Sequence, residues 1–455
     1  MSTSPPQPPS PSRLPLASIL AFGTAAVGIT AMSFVNSLYL FKYSTDVLLI
    51  APGVMGLLYG ISRIWDAISD PLIGRLSDQT RSRFGRRRSW IFASIPATSL
   101  AFLMLWIPPQ SLDATQLAIW LGVALLLFST AQTMFSVPHY ALGVEMTDAY
   151  HERTRVFGLR QLMGGAGLIA GLLAFYGLAR APDPRSFAPL MAASVALGAA
   201  LLTGFGIARL RERPEFQGRG GEDLRRAFWD VFRNPHARLL LLMYGIESFG
   251  AATTGLLSVY VTQYVVKAPQ TFYIVVLLFY IVPSFLLAPL WTRLSRRMGK
   301  RRLWLVSMSI ASAAYVAHSF LGEGTILFWC AISVIQGASN GVGSVVGPSI
   351  KADVIDWDEL QSGERKEGSY LAVWTFVQKS AHGLCAILLG FALQWVGFEP
   401  NVEQSTATKW TILGLYGVFP GVAYAIGAVL LSRFKLNEQE HGLVRQALDA
   451  RNSQD

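Results

Sequence analysis

The chain has 455 residues, of which 52% are hydrophobic and only 15% charged, with a mean hydropathy of +0.40 and a formal net charge of +10. A soluble protein of this length carries about a quarter charged residues, so the composition excludes an ordinary soluble enzyme and implies a polytopic membrane protein. The positive charge does not point to nucleic acid, because the basic residues sit in short loops between apolar runs, where membrane topology accounts for them.

In chain order, the Pro- and Ser-rich tail 1–14 is expected to be disordered and lacks the basic start of a cleaved signal peptide. Apolar runs of about 20 residues or more follow at 15–42, 52–76, 89–108, 115–143, 155–180 and 186–208, giving a first bundle over 15–208. A polar linker, 209–236, comes next. Within it Leu224, Phe228, Val231 and Phe232 share a helical face, which predicts a short interfacial helix stopped by Asn234-Pro235. Further runs at 237–266, 270–292, 302–321, 324–350, 369–397 and 410–432 form a second bundle over 237–432. The tail 433–455 reads as another surface helix, with Asn437 as its cap and Leu443, Val444, Ala447 and Leu448 as its apolar side. The expected fold is therefore all-α, with twelve transmembrane helices in two bundles of six.

Twelve spans place both termini on one side. Arginine and lysine crowd the loops after spans 2, 6 and 8, whereas the opposite loops hold little beyond Lys42, Arg180, Arg185, Lys267 and Lys409. The positive-inside rule then predicts cytoplasmic termini in the cell (inner) membrane. The halves also echo each other: Gly85-Arg86-Arg87-Arg88 after span 2 matches Gly299-Lys300-Arg301-Arg302 after span 8, and Arg75-Leu76-Ser77 matches Arg293-Leu294-Ser295 upstream. Such a repeat implies two bundles rocking about a midplane cavity.

The chemistry begins in span 2. Asp66 and Asp70 lie one helical turn apart on one face of an apolar run, where an unpaired carboxylate costs several kcal/mol. Arg63, three residues before Asp66, offers an intrahelical ion pair, yet it neutralises only one of the two. A bound cation or a cationic residue from another helix is the fuller account. Among the other spans, charges appear at Arg160, Glu247 and Lys379. Lys379 in span 11 is the natural partner of the aspartate pair, whether as counter-ion or as a solute ligand. Arg160 reads either as an anchor at the cytoplasmic end of its span or as a cavity group. Glu247 reads as a helix contact or as a solute contact, and His139 borders the expected cavity. In the loops, Asp78 with Arg81 and Arg83, and Asp356 with Arg365, are candidate cytoplasmic gate pairs.

Several patterns carry no chemistry. Gly337-Ala338-Ser339-Asn340-Gly341 fits the hydrolase pattern G-x-S-x-G without a strand-turn-helix context. Gly167 and Gly171 read as helix contacts. Cys330 and Cys385 stand alone in apolar runs, the six histidines show no metal spacing, and no Walker motif is present. Neither a cofactor nor ATP is expected.

Trp65-Asp66-Ala67-Ile68-Ser69-Asp70-Pro71, with Thr80-Arg81-Ser82-Arg83-Phe84-Gly85 after it, resembles the second helix and following loop of the glycoside-pentoside-hexuronide:cation symporters, the melibiose permease-like branch of the major facilitator superfamily. Asp353 to Leu360, then Gly363 to Gly368, is similar to that family's loop between spans 10 and 11. Pro400 to Thr406 and Arg433 to Asn437 also match, so the resemblance covers most of the chain. It implies that Asp66 and Asp70 are cation ligands assisted by Thr133, that Lys379 lies beside them, and that Tyr140 and Arg160 border the sugar. Two positions depart from the family's galactoside carriers: Thr30 in span 1 and Ser136 in span 4 stand where those have aspartates. Galactoside specificity is therefore not inherited, and both Na⁺ and H⁺ stay open as the coupling ion.

The expected function is symport of a small polar solute, a sugar or sugar derivative, by a monomer whose other partners are the coupling cation and the bilayer. Thr30, Gln132, Ser136 and Tyr140 favour a hydroxylated solute. A cation-coupled carrier of lysolipids or other amphiphiles is the nearest rival, followed by a transport-inactive sensor. No catalytic constellation supports an enzyme.

Overall fold

Prolines and polar caps set where the helices begin. Pro52, Pro184 and Pro235 open three long helices, where the missing N–H has no intrahelical partner in any case. Asp113 closes a capping box with Gln116, and the Asn234 side chain accepts from the N–H groups of His236 and Ala237. The computed structural model describes residues 13–147, 149–213, 224–364, 366–436 and 438–452. Residues 1–12 of the expected disordered tail, the cap residue Asn437 and the gate residue Arg365 lie outside these.

In chain order the helices are α1 (Leu16–Asp46), α2 (Pro52–Gln79), α3 (Arg86–Trp106), α4 (Ala114–Glu145), α5 (Tyr150–Arg180) and α6 (Pro184–Ala208). Then come the short α7 (Leu224–Arg233), α8 (Pro235–Val265), α9 (Phe272–Leu286), α10 (Ala288–Met298), α11 (Lys300–Phe320), α12 (Ile326–Ser362), α13 (Glu367–Trp395), α14 (Thr406–Ser432) and the tail helix α15 (Glu438–Asn452). Ten of these are long and apolar enough to cross a membrane. The pair α9 and α10 makes an eleventh span bent by 50°, with Pro283 before the bend and Pro289 just after it. The twelfth is α2, which is 28 residues long but carries Arg63, Asp66, Asp70, Arg75 and Asp78.

Within the first six, α1 packs on α5 and α6, α3 on α4 and α6, and α2 on α4; in the last six, α8 packs on α13 and α14, α9 on α12, and α11 on α12 and α14. The halves meet where α2 crosses α13 and where α1 touches α8. Glycines allow the first crossing. A Cβ on Gly56 would lie 2.5 Å from the Ala386 carbonyl and 2.9 Å from Gly390 Cα, and one on Gly383 would lie 2.7 Å from the Gly60 carbonyl.

The repeat in the sequence has a counterpart in the ion pairs. Gly85 and Gly299 both take positive φ, +102° and +80°, and the next residue in each half pairs with an acid on the fourth span of its own half. Arg86 Nη2 lies 2.6 Å from Glu145 Oε1 and Lys300 Nζ 2.7 Å from Asp353 Oδ2. In the first half Glu212 adds a cap, accepting the N–H groups of Arg86, Arg87 and Arg88 at 2.6–2.8 Å.

Three expectations are corrected here. Span 1 does not end at 42 but runs to Asp46, with a π-helical turn at Asn36–Leu40. Residues 353–360, read as loop, belong to α12. On α15 only Val444 and Leu448, one turn apart, are buried against the second half, while Leu443 and Ala447 are exposed. A single helix resting on a bundle edge covers a stripe of that width.

Candidate functional site

Asp66 and Asp70 on α2 are held by the same two side chains. Thr133 Oγ1 on α4 is 3.0 Å from Asp66 Oδ1 and 3.1 Å from Asp70 Oδ1. Lys379 Nζ on α13 is 2.9 Å from Asp66 Oδ2 and 2.6 Å from Asp70 Oδ2. The threonine hydroxyl has one proton, so it donates to one carboxylate at a time. One ammonium against two carboxylates leaves a negative charge for a further cation to balance. Asp66 is buried, which makes that imbalance costly.

Arg63 does not take the expected place beside Asp66. Its Nη2 donates to the Tyr59 hydroxyl at 2.7 Å, and the guanidinium lies 4.9 Å from the centre of that ring. Helical side chains lean toward the N-terminus, which carries Arg63 back to Tyr59 and away from Asp66.

A cavity of about 740 Å³ opens next to Asp70. Ser136, Tyr140 and Arg160 line it together with Arg75 and, from α13, Thr375 and Phe376. Arg160 has no hydrogen-bond or ion-pair partner among the described residues, and its Nε is buried. Three sequence candidates fall elsewhere. Thr30 Oγ1 donates to its own helix at the Ala26 carbonyl, 2.8 Å away, and its Cβ would be 2.8 Å from a Cβ on Gly167, so it packs at the α1–α5 contact. His139 is fully buried, stacked between Phe22 and Phe135. Glu247 lies inside the second half in a separate pocket.

The cavity extends from the aspartates toward the face that carries both termini. Helices α2 and α13 run antiparallel and stay in contact from Gly53 and Gln394 to Asp70 and Lys379. Beyond that point Gly74, Arg75, Ser369 and Ala372 line open space. On this face Asp78 departs from the expected gate, while Arg365, the expected partner of Asp356, lies outside the described residues. Asp78 pairs with Arg87 and Arg86, across the tight turn, while Arg81 and Arg83 are exposed and Arg83 rests over Phe84. Asp356 meets His441 and Arg445 of α15, at 3.1 and 3.5 Å.

The far face is closed by residues that sequence reasoning missed. Lys42, read as an outer-loop cation, is buried and pairs with Asp46. The ammonium sits 4.8 Å from the Tyr260 ring centre and 4.6 Å from that of Tyr264. The Tyr264 hydroxyl donates to Asp46, and Asn401 Nδ2 reaches the Asp46 carbonyl at 2.7 Å. The available signal was the spacing: Lys42 and Asp46 stand four apart, as do Tyr260 and Tyr264.

Twelve spans in two sixes, with Lys379 bridging Asp66 and Asp70 where the halves cross, define a membrane transporter of the major facilitator type. Residues 21–438 match the family model described as MFS/sugar transport protein, and the chain belongs to that family of transporters; it is not an enzyme. This agrees with its resemblance to the glycoside-pentoside-hexuronide symporters. It is 24% identical over 453 residues to "Uncharacterized symporter YjmB" of Bacillus subtilis (strain 168), covering 96% of each chain. It is 25% identical over 462 residues to a putative sulfoquinovose importer of Escherichia coli (strain K12), covering 97% of this chain and 96% of that one. Among solved structures, the nucleoside transporter NupG is similar in fold, with a TM-score of 0.66 at 14% identity over 91% of this chain and 99% of that one.

Proposed function

We propose that the protein is a monomeric symporter of the inner membrane that couples entry of Na⁺ or H⁺ to uptake of a sugar, glycoside or sugar acid by alternating access. The observation that carries this reading is Lys379 Nζ lying between Asp66 and Asp70, because it gives a coupling ion something to displace. In this reading both termini are cytoplasmic, so the cavity faces inward and the Lys42–Asp46 cluster closes the outer side. A cation entering from outside binds the two carboxylates and Thr133 and releases the ammonium. When it leaves, Lys379 returns as internal counter-ion, and the empty carrier crosses without two bare carboxylates.

Moving one cation down about 100 mV releases about 2.3 kcal/mol, and a tenfold concentration gradient adds about 1.4 kcal/mol. Together they sustain solute accumulation of roughly several hundredfold.

The unpartnered Arg160 favours a solute with an anionic group, since a guanidinium binds carboxylate or sulfonate by paired N–H donors. The sulfoquinovose importer among its relatives fits that chemistry. Ser136 and Tyr140 supply hydroxyls on the same wall. One observation favours the amphiphile alternative: an almost wholly apolar groove of about 690 Å³, lined by Leu241, Phe249, Leu384 and Ile426, shares Phe376 with the cavity. Proteoliposomes with an imposed Na⁺ or pH gradient decide between the two readings. Uphill uptake of glucose, glucuronate or sulfoquinovose is the expected result; uptake of lysophosphatidylcholine alone would replace the sugar reading, and no gradient-driven uptake of any of them would end the symport reading.

A further inference from the structure

Glu247 on α8 is 8% exposed and makes no hydrogen bond or ion pair with a described residue. Nor does it lie in the central cavity. It opens into a pocket of about 370 Å³ between α8, α9, α11, α12 and α14, and Lys351 of α12 lines the same pocket. The two charges are farther apart than an ion pair. Lys351 Nζ stands instead over aromatic faces, 4.4 Å from the ring centre of Tyr244 and 5.0 Å from that of Trp374. Around them the wall offers Asn340, the Tyr280 and Tyr424 hydroxyls and the Trp304 indole. Gly343 and Gly347 keep the space open: a Cβ on Gly343 would approach only Trp304 Nε1, at 3.5 Å.

We propose that this pocket is a second solute site, which takes a neutral polyhydroxylated molecule of monosaccharide size. The charge balance calls for a neutral ligand. Glu247 and Lys351 are of opposite sign when ionised, so a ligand with a net charge would be opposed by one of them and would still have to be desolvated in a buried pocket. A separated carboxylate and ammonium need a bridge that donates at one end and accepts at the other, and an alcohol group does both. Several such groups on one ring would also meet Asn340 and the phenols, with the indole against the ring's apolar face. The volume lies at the lower end of the range for small-molecule sites, about 300–1,000 Å³. This site does not depend on the coupling role of Asp66, Asp70 and Lys379.

The test uses the full chain in lipid nanodiscs, with xylose, glucose and galactose as probes. The signal is the Trp304 contribution to fluorescence, taken as the difference between the parent and Trp304→Phe. At least one sugar should produce a saturable change that Glu247→Gln and Lys351→Met each weaken by about tenfold or more, the usual consequence of losing a charge-assisted hydrogen bond. Gly343→Leu fills the pocket while leaving both charges in place, and it should abolish the change. Arg160→Gln alters only the central cavity, so it should leave the Trp304 signal intact even where uptake into proteoliposomes is lost. A pocket that holds only water would give no saturable change with any probe in folded protein. That result, or a change that survives all three pocket substitutions, would overturn the proposal.

Discussion

Thr45 Oγ1 on α1 and the Tyr260 hydroxyl on α8 lie 2.5 Å apart, one hydrogen bond tying the two halves together at the far face. Tyr264 adds a second tie by donating to Asp46. Because these bonds exist only while the far face is closed, Tyr260→Phe with Tyr264→Phe should raise the population open at that face. Two hydrogen bonds at about 1 kcal/mol each imply a shift of roughly tenfold or more. Labelling of a cysteine placed at Thr375, in the cavity wall, by an impermeant thiol reagent added at the far face checks this; an unchanged labelling rate would mean that the closure rests on apolar packing alone.

Removing Lys379 should leave the aspartate pair without its ammonium. Breaking a fully buried ion pair on one side typically costs about 3–5 kcal/mol; with only Asp66 buried and the Lys379 and Asp70 side chains 25% and 22% exposed, Lys379→Ala should cost less than that but still lower the melting temperature in cation-free buffer at neutral pH. Added Na⁺ or acid should restore it, according to which ion couples. The same variant should bind the cation at least as well as the parent yet fail to accumulate solute. Weaker cation binding, with solute binding lost in parallel in a folded protein, would make Lys379 a solute ligand.

Asp66→Asn and Asp70→Asn should each abolish gradient-driven accumulation while the protein stays folded. Retained uphill uptake in both variants would remove the cation-site assignment.

Arg160→Gln should raise KM for an anionic sugar by about tenfold or more, from the loss of a charged hydrogen bond of roughly 1.5–3 kcal/mol. For a neutral sugar the change should be smaller. Counterflow with glucuronate and glucose side by side measures the difference, and equal effects on both would mean that Arg160 contacts hydroxyls rather than an acid.

On the terminus-bearing face two kinds of arginine should behave differently. Arg86 and Arg87 are buried and share Glu145 and Asp78, so Glu145→Gln strands buried charge and should cost on the order of 3 kcal/mol. Arg81 and Arg83 are exposed, so replacing either with Gln should change stability by less than about 0.5 kcal/mol. Thermal unfolding in detergent separates these outcomes.

The order of the helices was legible from the lengths of the apolar runs, and the meeting of Asp66, Asp70 and Lys379 because charge is rare in such runs and demands a partner; Thr133 was reached only through the family resemblance. The partners that depend on side-chain direction were less so. Arg63 leans back to Tyr59 instead of forward to Asp66, and Asp78 reaches Arg87 across a turn whose geometry the Gly85 backbone sets. Lys42 looked like a loop residue because an apolar run appeared to stop there. Its burial depends on Tyr260 and Tyr264, more than two hundred residues away in the chain, and no local pattern reports such a contact.

The glycine crossing of α2 and α13 has a mechanical consequence. Lys379 stands one helical turn from Gly383, about 6 Å along the axis at 1.5 Å per residue. If Gly60 and Gly383 act as a fulcrum, a tilt of about 10° moves the ammonium by roughly 1 Å. A 2.6 Å contact with Asp70 then stretches past hydrogen-bond length. Under the symport reading, turning the cavity from one side of the membrane to the other and unlatching the lysine become a single displacement: the carrier cannot change sides with its latch half undone.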